Sequence, residues 1–142
     1  MTAKEVERKL SRMYWLKKEV KAKERKRKEL LTQATHITAD FSPTPSGGDP
    51  MSKPERYAME THDLLHDLDE SYRILLQAQK ECMELIELLD DPLLRAILID
   101  YHFNGIKLSD IESIYHYSRS QIWNLRQKAY QQIEDKTQLD MT

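Results

Sequence analysis

The chain has 142 residues, 32% of them charged, with only 3 Gly, 5 Pro and 2 Phe; this composition argues for helices over strands, which want more β-branched and aromatic residues. A single cysteine, Cys82, excludes an internal disulfide. No apolar run approaches the ~18 residues of a membrane span, and the charged start (Lys4, Glu5, Glu7, Arg8) does not read as a secretion signal, so a cytoplasmic protein without membrane contact is expected.

The formal net charge of −2 hides an uneven distribution. Residues 1–34 carry twelve Lys/Arg against five Asp/Glu, residues 49–91 four against twelve, and residues 92–142 six against six. Opposite signs on neighbouring segments suit them as partners. Residues 1–34 read as a basic helix. Thr2-Ala3-Lys4-Glu5 is a capping box, and Val6, Leu10, Met13, Leu16 and Val20 recur at steps of three and four, one apolar stripe. Tyr14 and Trp15 sit beside that stripe, where core packing is the default. The stripe lapses over Lys21 to Glu29 and resumes at Leu30 and Leu31. The basic run 21–28 suits either nucleic-acid phosphates or the acidic segment that follows.

Residues 35–53 contain Pro43, Pro45 and Pro50 and two of the three glycines, which predicts a linker. Residues 54–90 then read as a long acidic helix. Pro54 suits a first turn, and Leu65, Leu68, Tyr72, Leu75, Gln79, Cys82, Ile86 and Leu89 alternate steps of three and four, a heptad seam. So long a helix needs cover, either from the first helix folded back on it or from a second copy as a homodimer through the long helices. His62 and His66 stand at the i, i+4 spacing that can bind zinc, but no second ligand cluster accompanies them, and a solvated face is the expectation. Cys82 lies on the seam as a small hydrophobe. No catalytic triad, phosphate-binding glycine loop or carboxylate pair is visible, so neither an enzyme nor a cofactor is expected.

Residues 91–142 form the last predicted unit. Asp91-Pro92 is an N-cap followed by proline at the first helical position. The helix it opens buries Leu94, Ile97, Leu98 and Tyr101 and stops at Asn104-Gly105. Two capping boxes follow in quick succession, Ser109-Asp110-Ile111-Glu112 and Ser118-Arg119-Ser120-Gln121. Ile111, Ile114 and Tyr115 give the first helix an apolar face; Ile122, Leu125, Ala129 and Ile133 give the second a cleaner one. With His116-Tyr117 as the turn, the pattern predicts a helix-turn-helix over Ser109 to Ile133. The outer face of its second helix reads Arg119, Ser120, Trp123, Asn124, Gln127, Lys128 and Gln131. From Ser118 to Gln132 there are three positive charges and no negative one. Arg suits guanine, and Asn or Gln suits adenine, while Lys128 and Arg126 suit phosphate, so double-stranded DNA is the expected partner.

The run LSDIESIYHYSRSQIWNLRQKAYQQI resembles, without a gap, the region 4 helix-turn-helix of bacterial sigma factors, with matches at Leu108, Ile111, Tyr117, Ser118, Arg119, Ile122, Leu125, Lys128, Ala129 and Ile133. The wider layout resembles small phage late-gene transcription regulators of Gram-positive hosts. The resemblance implies an all-α fold, a long coiled-coil-like N-terminal hairpin followed by the helix-turn-helix. It also implies a phage activator at work in the bacterial cytoplasm with host RNA polymerase. Arg119, Ser120 and Asn124 would face bases, with Gln121, Trp123 and Lys128 near the backbone. Two positions depart from the family pattern: His116 stands at the turn glycine and Glu112 at a small residue. A DNA-packaging protein of small-terminase type, and a polymerase-binding module without DNA contact, are the competing expectations.

Overall fold

The computed structural model describes residues 1–39 and 52–140. Their regular structure is helical, with no strand among them: α1 (Ala3–Ala39), α2 (Lys53–Glu87), α3 (Pro92–Leu98) continuing into a π-helical turn (Ile99–Phe103), α4 (Leu108–Tyr115) and α5 (Arg119–Asp140). The chain is all-α, as its composition predicts. None of the described helices is long and apolar enough to cross a membrane.

Most predicted helix starts form as written. Thr2 N donates to Glu5 Oε2 at 3.1 Å while Glu5 N donates to Thr2 Oγ1 at 3.2 Å, the reciprocal capping box. Asp91 Oδ1 accepts from Leu93 N at 2.9 Å, with Pro92 next to the cap. Helix α1 runs to Ala39, so its last turn occupies the first part of the stretch predicted as linker; Thr35, which could favour a turn, instead back-bonds to Leu31 O at 2.9 Å. Residues 40–51, the rest of that predicted linker, lie outside the described residues. Helix α2 is capped by Ser52, whose Oγ accepts from Glu55 N at 3.3 Å, and closes through 3₁₀-type bonds from Leu88 N to Leu85 O and Leu89 N to Ile86 O. Arg95 reaches back and donates to Leu89 O at 2.7 Å, taking up a carbonyl that the helix end leaves open.

The chain divides into two compact units, and the boundaries fall inside α1 and α2, not at the predicted breaks near residues 34, 53 and 90. One unit comprises residues 18–74. Its buried apolar side chains include Val20, Leu30 and Leu68. Within it Lys23 Nζ of α1 lies 2.9 Å from Asp67 and 2.7 Å from Ser71 Oγ of α2, and 3.1 Å from Glu19 of its own helix. The hydrogen bond to Asp67 leads the causes that raise the Lys23 pKa. Other members of the basic run, among them Arg25, Arg27 and Lys28, are exposed. His62 and His66 are exposed too, and no metal-holding group of His, Cys, Asp and Glu occurs among the described residues.

The other unit comprises residues 1–17 and 75–142. Val6, Leu10 and Met13 of α1 are buried in it, as are Cys82, Ile86 and Leu89 from the predicted seam. Lys9 pairs with Glu81 at 3.0 Å, and Cys82 Sγ lies 3.7 Å from Lys9 O. Burial raises the Cys82 thiol pKa to about 11, which keeps it protonated and unreactive. The first turns of α1 also hold the C-terminal helices. Ala3 N, one of the open amides of the helix start, donates to Glu134 Oε2 at 2.8 Å, and Lys17 Nζ donates to Phe103 O at 2.9 Å. A predicted C-terminal domain limited to residues 91–142 therefore omits a strip of α1 that belongs to the same compact unit.

Candidate nucleic-acid interface

Helices α4 and α5 are joined by the turn His116-Tyr117-Ser118. His116 ends α4 in the left-handed conformation, φ 59° and ψ 39°. His is one of the few side chains enriched there, so the chain adopts a positive φ at this turn without a glycine. Ile111 of α4 and Ile122 of α5 are fully buried on either side of the turn; with Ile97 they form a cluster packed by Leu93, Tyr101, Ile106, Leu108, Tyr115, Tyr117 and Leu125. Tyr115 donates to Asp100 Oδ2 at 2.5 Å, and its pKa rises to about 12, first through burial and then through that bond.

Of the two predicted boxes in this region, one forms. Ser118 N donates to Gln121 Oε1 at 2.9 Å, and Gln121 N donates to Ser118 Oγ at 3.2 Å. The Ser109 box does not. Helix α4 begins two residues earlier, with Lys107 as an N-cap that makes no side-chain bond, while Lys107 O accepts from the amides of Asp110 and Ile111. Starting at Leu108 places that side chain against the Ile97–Ile111–Ile122 cluster, burial that a start after Ser109 would forgo. Freed from capping, Glu112 turns toward α5, and its Oε1 lies 3.5 Å from Arg119 Nε.

Seven of the eight predicted DNA-contacting residues are accessible. Arg119, Ser120, Gln121, Trp123, Asn124 and Lys128 are exposed and Gln127 is half-buried. Trp123 is 56% exposed, unusual for so large an apolar side chain. Gln121 spends its carbonyl oxygen on the cap, which leaves its amide donors.

Arg126 is the correction. It is 7% exposed and points into the unit, not toward a phosphate. Its guanidinium carbon sits 3.8 Å from the centroid of the Tyr101 ring, Nε donates to Tyr130 Oη at 3.3 Å, and Nη2 lies 3.7 Å from Glu7 of α1. Tyr130 Oη, accepting from Arg126, also shares a 2.7 Å hydrogen bond with His102 Nε2, which accepts the tyrosine proton in the Nδ1–H tautomer and donates in the Nε2–H tautomer. Burial, reinforced by the Arg126 charge, lowers the His102 pKa to about 3, so the neutral form prevails. Burial likewise raises Tyr130 to about 12. The signal for Arg126 was present in the sequence: it lies four residues after Ile122 and three before Ala129, on the core side of α5. Its partners Glu7 and His102 are remote in the chain, and no spacing rule joins them.

A groove of about 420 Å³ lies elsewhere in the same unit, bordered by Tyr14, Trp15, Tyr101, Ile106, Lys107 and Leu108 among others. Trp15, placed in the core by its position beside the stripe, is 67% exposed at its edge. Gly105 lines it with φ +62°, and a Cβ there would meet Tyr14 Cε2 at 3.4 Å. Compared with protein-family models, with curated proteins and with solved structures, the chain matches none.

Proposed function

We propose that the chain is a sequence-specific double-stranded-DNA-binding transcription regulator, a phage late-gene activator that acts with host RNA polymerase and reads its site with α5 as the second helix of a helix-turn-helix. The observation that carries this reading is the exposed side of α5. Arg119, Ser120, Trp123, Asn124 and Lys128 are all accessible on it, and from Ser118 to Gln132 no acid interrupts it. A helix face rich in donors and acceptors and with no carboxylate of its own is suited to base edges between two lines of phosphates.

In this reading the residues divide by reach. Arg119, Ser120 and Asn124, at the leading end of α5, enter the major groove, where an arginine fork fits guanine and an asparagine amide fits adenine. Lys128, further along the helix, meets a phosphate as a point charge. Trp123 lies against the sugar-phosphate wall. One such module covers few base pairs, so useful affinity comes from a second copy or from polymerase contact. The resemblance of residues 108–133 to sigma factor region 4 supports promoter DNA as the target class.

The test is a gel-shift assay on a duplex selected by the wild-type protein from a random-sequence pool. The double variant Arg119→Ala, Asn124→Ala should lose roughly tenfold or more in affinity for each lost base contact while its circular dichroism stays that of the wild type. Wild-type affinity in that variant would remove α5 as the reading helix.

A further inference from the structure

We propose that Glu112 is a specificity-determining positioning residue, whose carboxylate fixes the guanidinium of Arg119 so that it reads one base pair. The inference rests on the assignment of the α5 face to DNA. Glu112 lies in α4 and Arg119 is the first residue of α5, seven positions later; the left-handed His116 between them lets the two side chains meet. Glu112 Oε1 is 3.5 Å from Arg119 Nε. The two ends of the pair are unequal: the Glu112 side chain is 28% exposed and that of Arg119 68%. The acid is the tethered partner, next to fully buried Ile111, and the arginine is the one reaching out.

Arginine presents five N–H donors, and an unheld one at a helix start spreads them over phosphates and bases alike. With the carboxylate held as an ion pair on the Nε side, the four donors of Nη1 and Nη2 remain for the fork that fits guanine O6 and N7. The carboxylate has a second effect. A negative charge beside the groove wall opposes binding to any DNA, because the phosphate term is independent of sequence. Glu112 therefore lowers affinity for all sequences and raises discrimination among them, a repulsive element in the service of specificity.

These two effects separate in one experiment. Binding is measured to the selected duplex, to the same duplex with each base pair replaced in turn, and to a random-sequence pool. Glu112→Gln keeps the shape of the side chain and removes its charge. It should bind the random pool more tightly and lower the ratio of selected to random binding by roughly two- to fivefold, the range open to an exposed ion pair. The lost discrimination should fall at the base pair where Arg119→Ala also relaxes preference. On the Arg119→Ala background Glu112→Gln should leave the ratio unchanged, the signature of a coupled pair. Arg119→Lys, which keeps the charge but offers no Nε edge to hold, should lose the same discrimination and become insensitive to Glu112→Gln. Equal tightening on every sequence, or the same change in ratio with and without Arg119, would reduce Glu112 to a background charge and overturn the proposal. If Arg119→Ala itself left the ratio intact, the assignment of the α5 face would fail first, and that failure is read in a different variant.

Discussion

Replacing Arg126 with Ala separates a core arginine from a phosphate-binding one. In the structure the substitution removes three interactions at once: the cation stacked 3.8 Å over Tyr101, the hydrogen bond to Tyr130 at 3.3 Å and the approach to Glu7 at 3.7 Å. A desolvated cation–π contact is worth about 2 kcal/mol and a long hydrogen bond about 0.5–1 kcal/mol. The Glu7 carboxylate is part-exposed, so that ion pair adds at most ~1 kcal/mol. With the stem's packing lost as well, the expected destabilisation is about 3–4 kcal/mol, a large share of the 5–15 kcal/mol typical of a domain. Urea unfolding followed by far-UV circular dichroism measures it. Hydrogen exchange at the amides of Tyr101 and Tyr130 localises it to the π turn and α5. DNA binding supplies the counter-test: a lysine or arginine on a phosphate contributes about one unit to the slope of log K against log salt, and Arg126→Ala should leave that slope unchanged. A stability within ~0.5 kcal/mol of wild type, joined to a slope reduced by about one, would refute the buried assignment and restore Arg126 to the DNA face.

Three further outcomes follow from the same geometry. His102 is 1% exposed and its pKa falls from 6.5 to about 3; because the unfolded chain takes up that proton first, its contribution to stability is complete above pH 6.5 and is lost as pH falls toward about 3, on the order of a few kcal/mol. Urea midpoints across that window should show this slope in the wild type and lack most of it in His102→Gln. His116→Gly should raise the melting temperature, because a non-glycine residue at φ 59° carries roughly 1–2 kcal/mol of strain and glycine returns part of that as chain entropy; an unchanged or lower melting temperature would show that the His116 side chain compensates for its backbone. Gly105→Ala, at φ +62° and with Tyr14 Cε2 3.4 Å from the added carbon, should destabilise by about 1–2 kcal/mol, read in the same thermal melts.

Much of the architecture was legible in the sequence because it is local. A capping box needs only a Ser or Thr and a Glu or Gln three residues on, and the boxes at Thr2 and Ser118 form with both hydrogen bonds. Asp91-Pro92, Gly105 and the stripe of Val6, Leu10 and Met13 likewise rest on periodicities of one helix or one turn. Tertiary packing decided the remainder. The Ser109 box was outweighed by the burial gained when α4 starts at Leu108. The compact units cut through α1 and α2 because the first turns of α1 find their partners at Glu81, Arg126 and Glu134, contacts across most of the chain's length that no local pattern encodes. Arg126 has the residue type of a phosphate ligand and the helical position of a core residue; with Tyr101, Tyr130 and Glu7 around it, position prevailed over type.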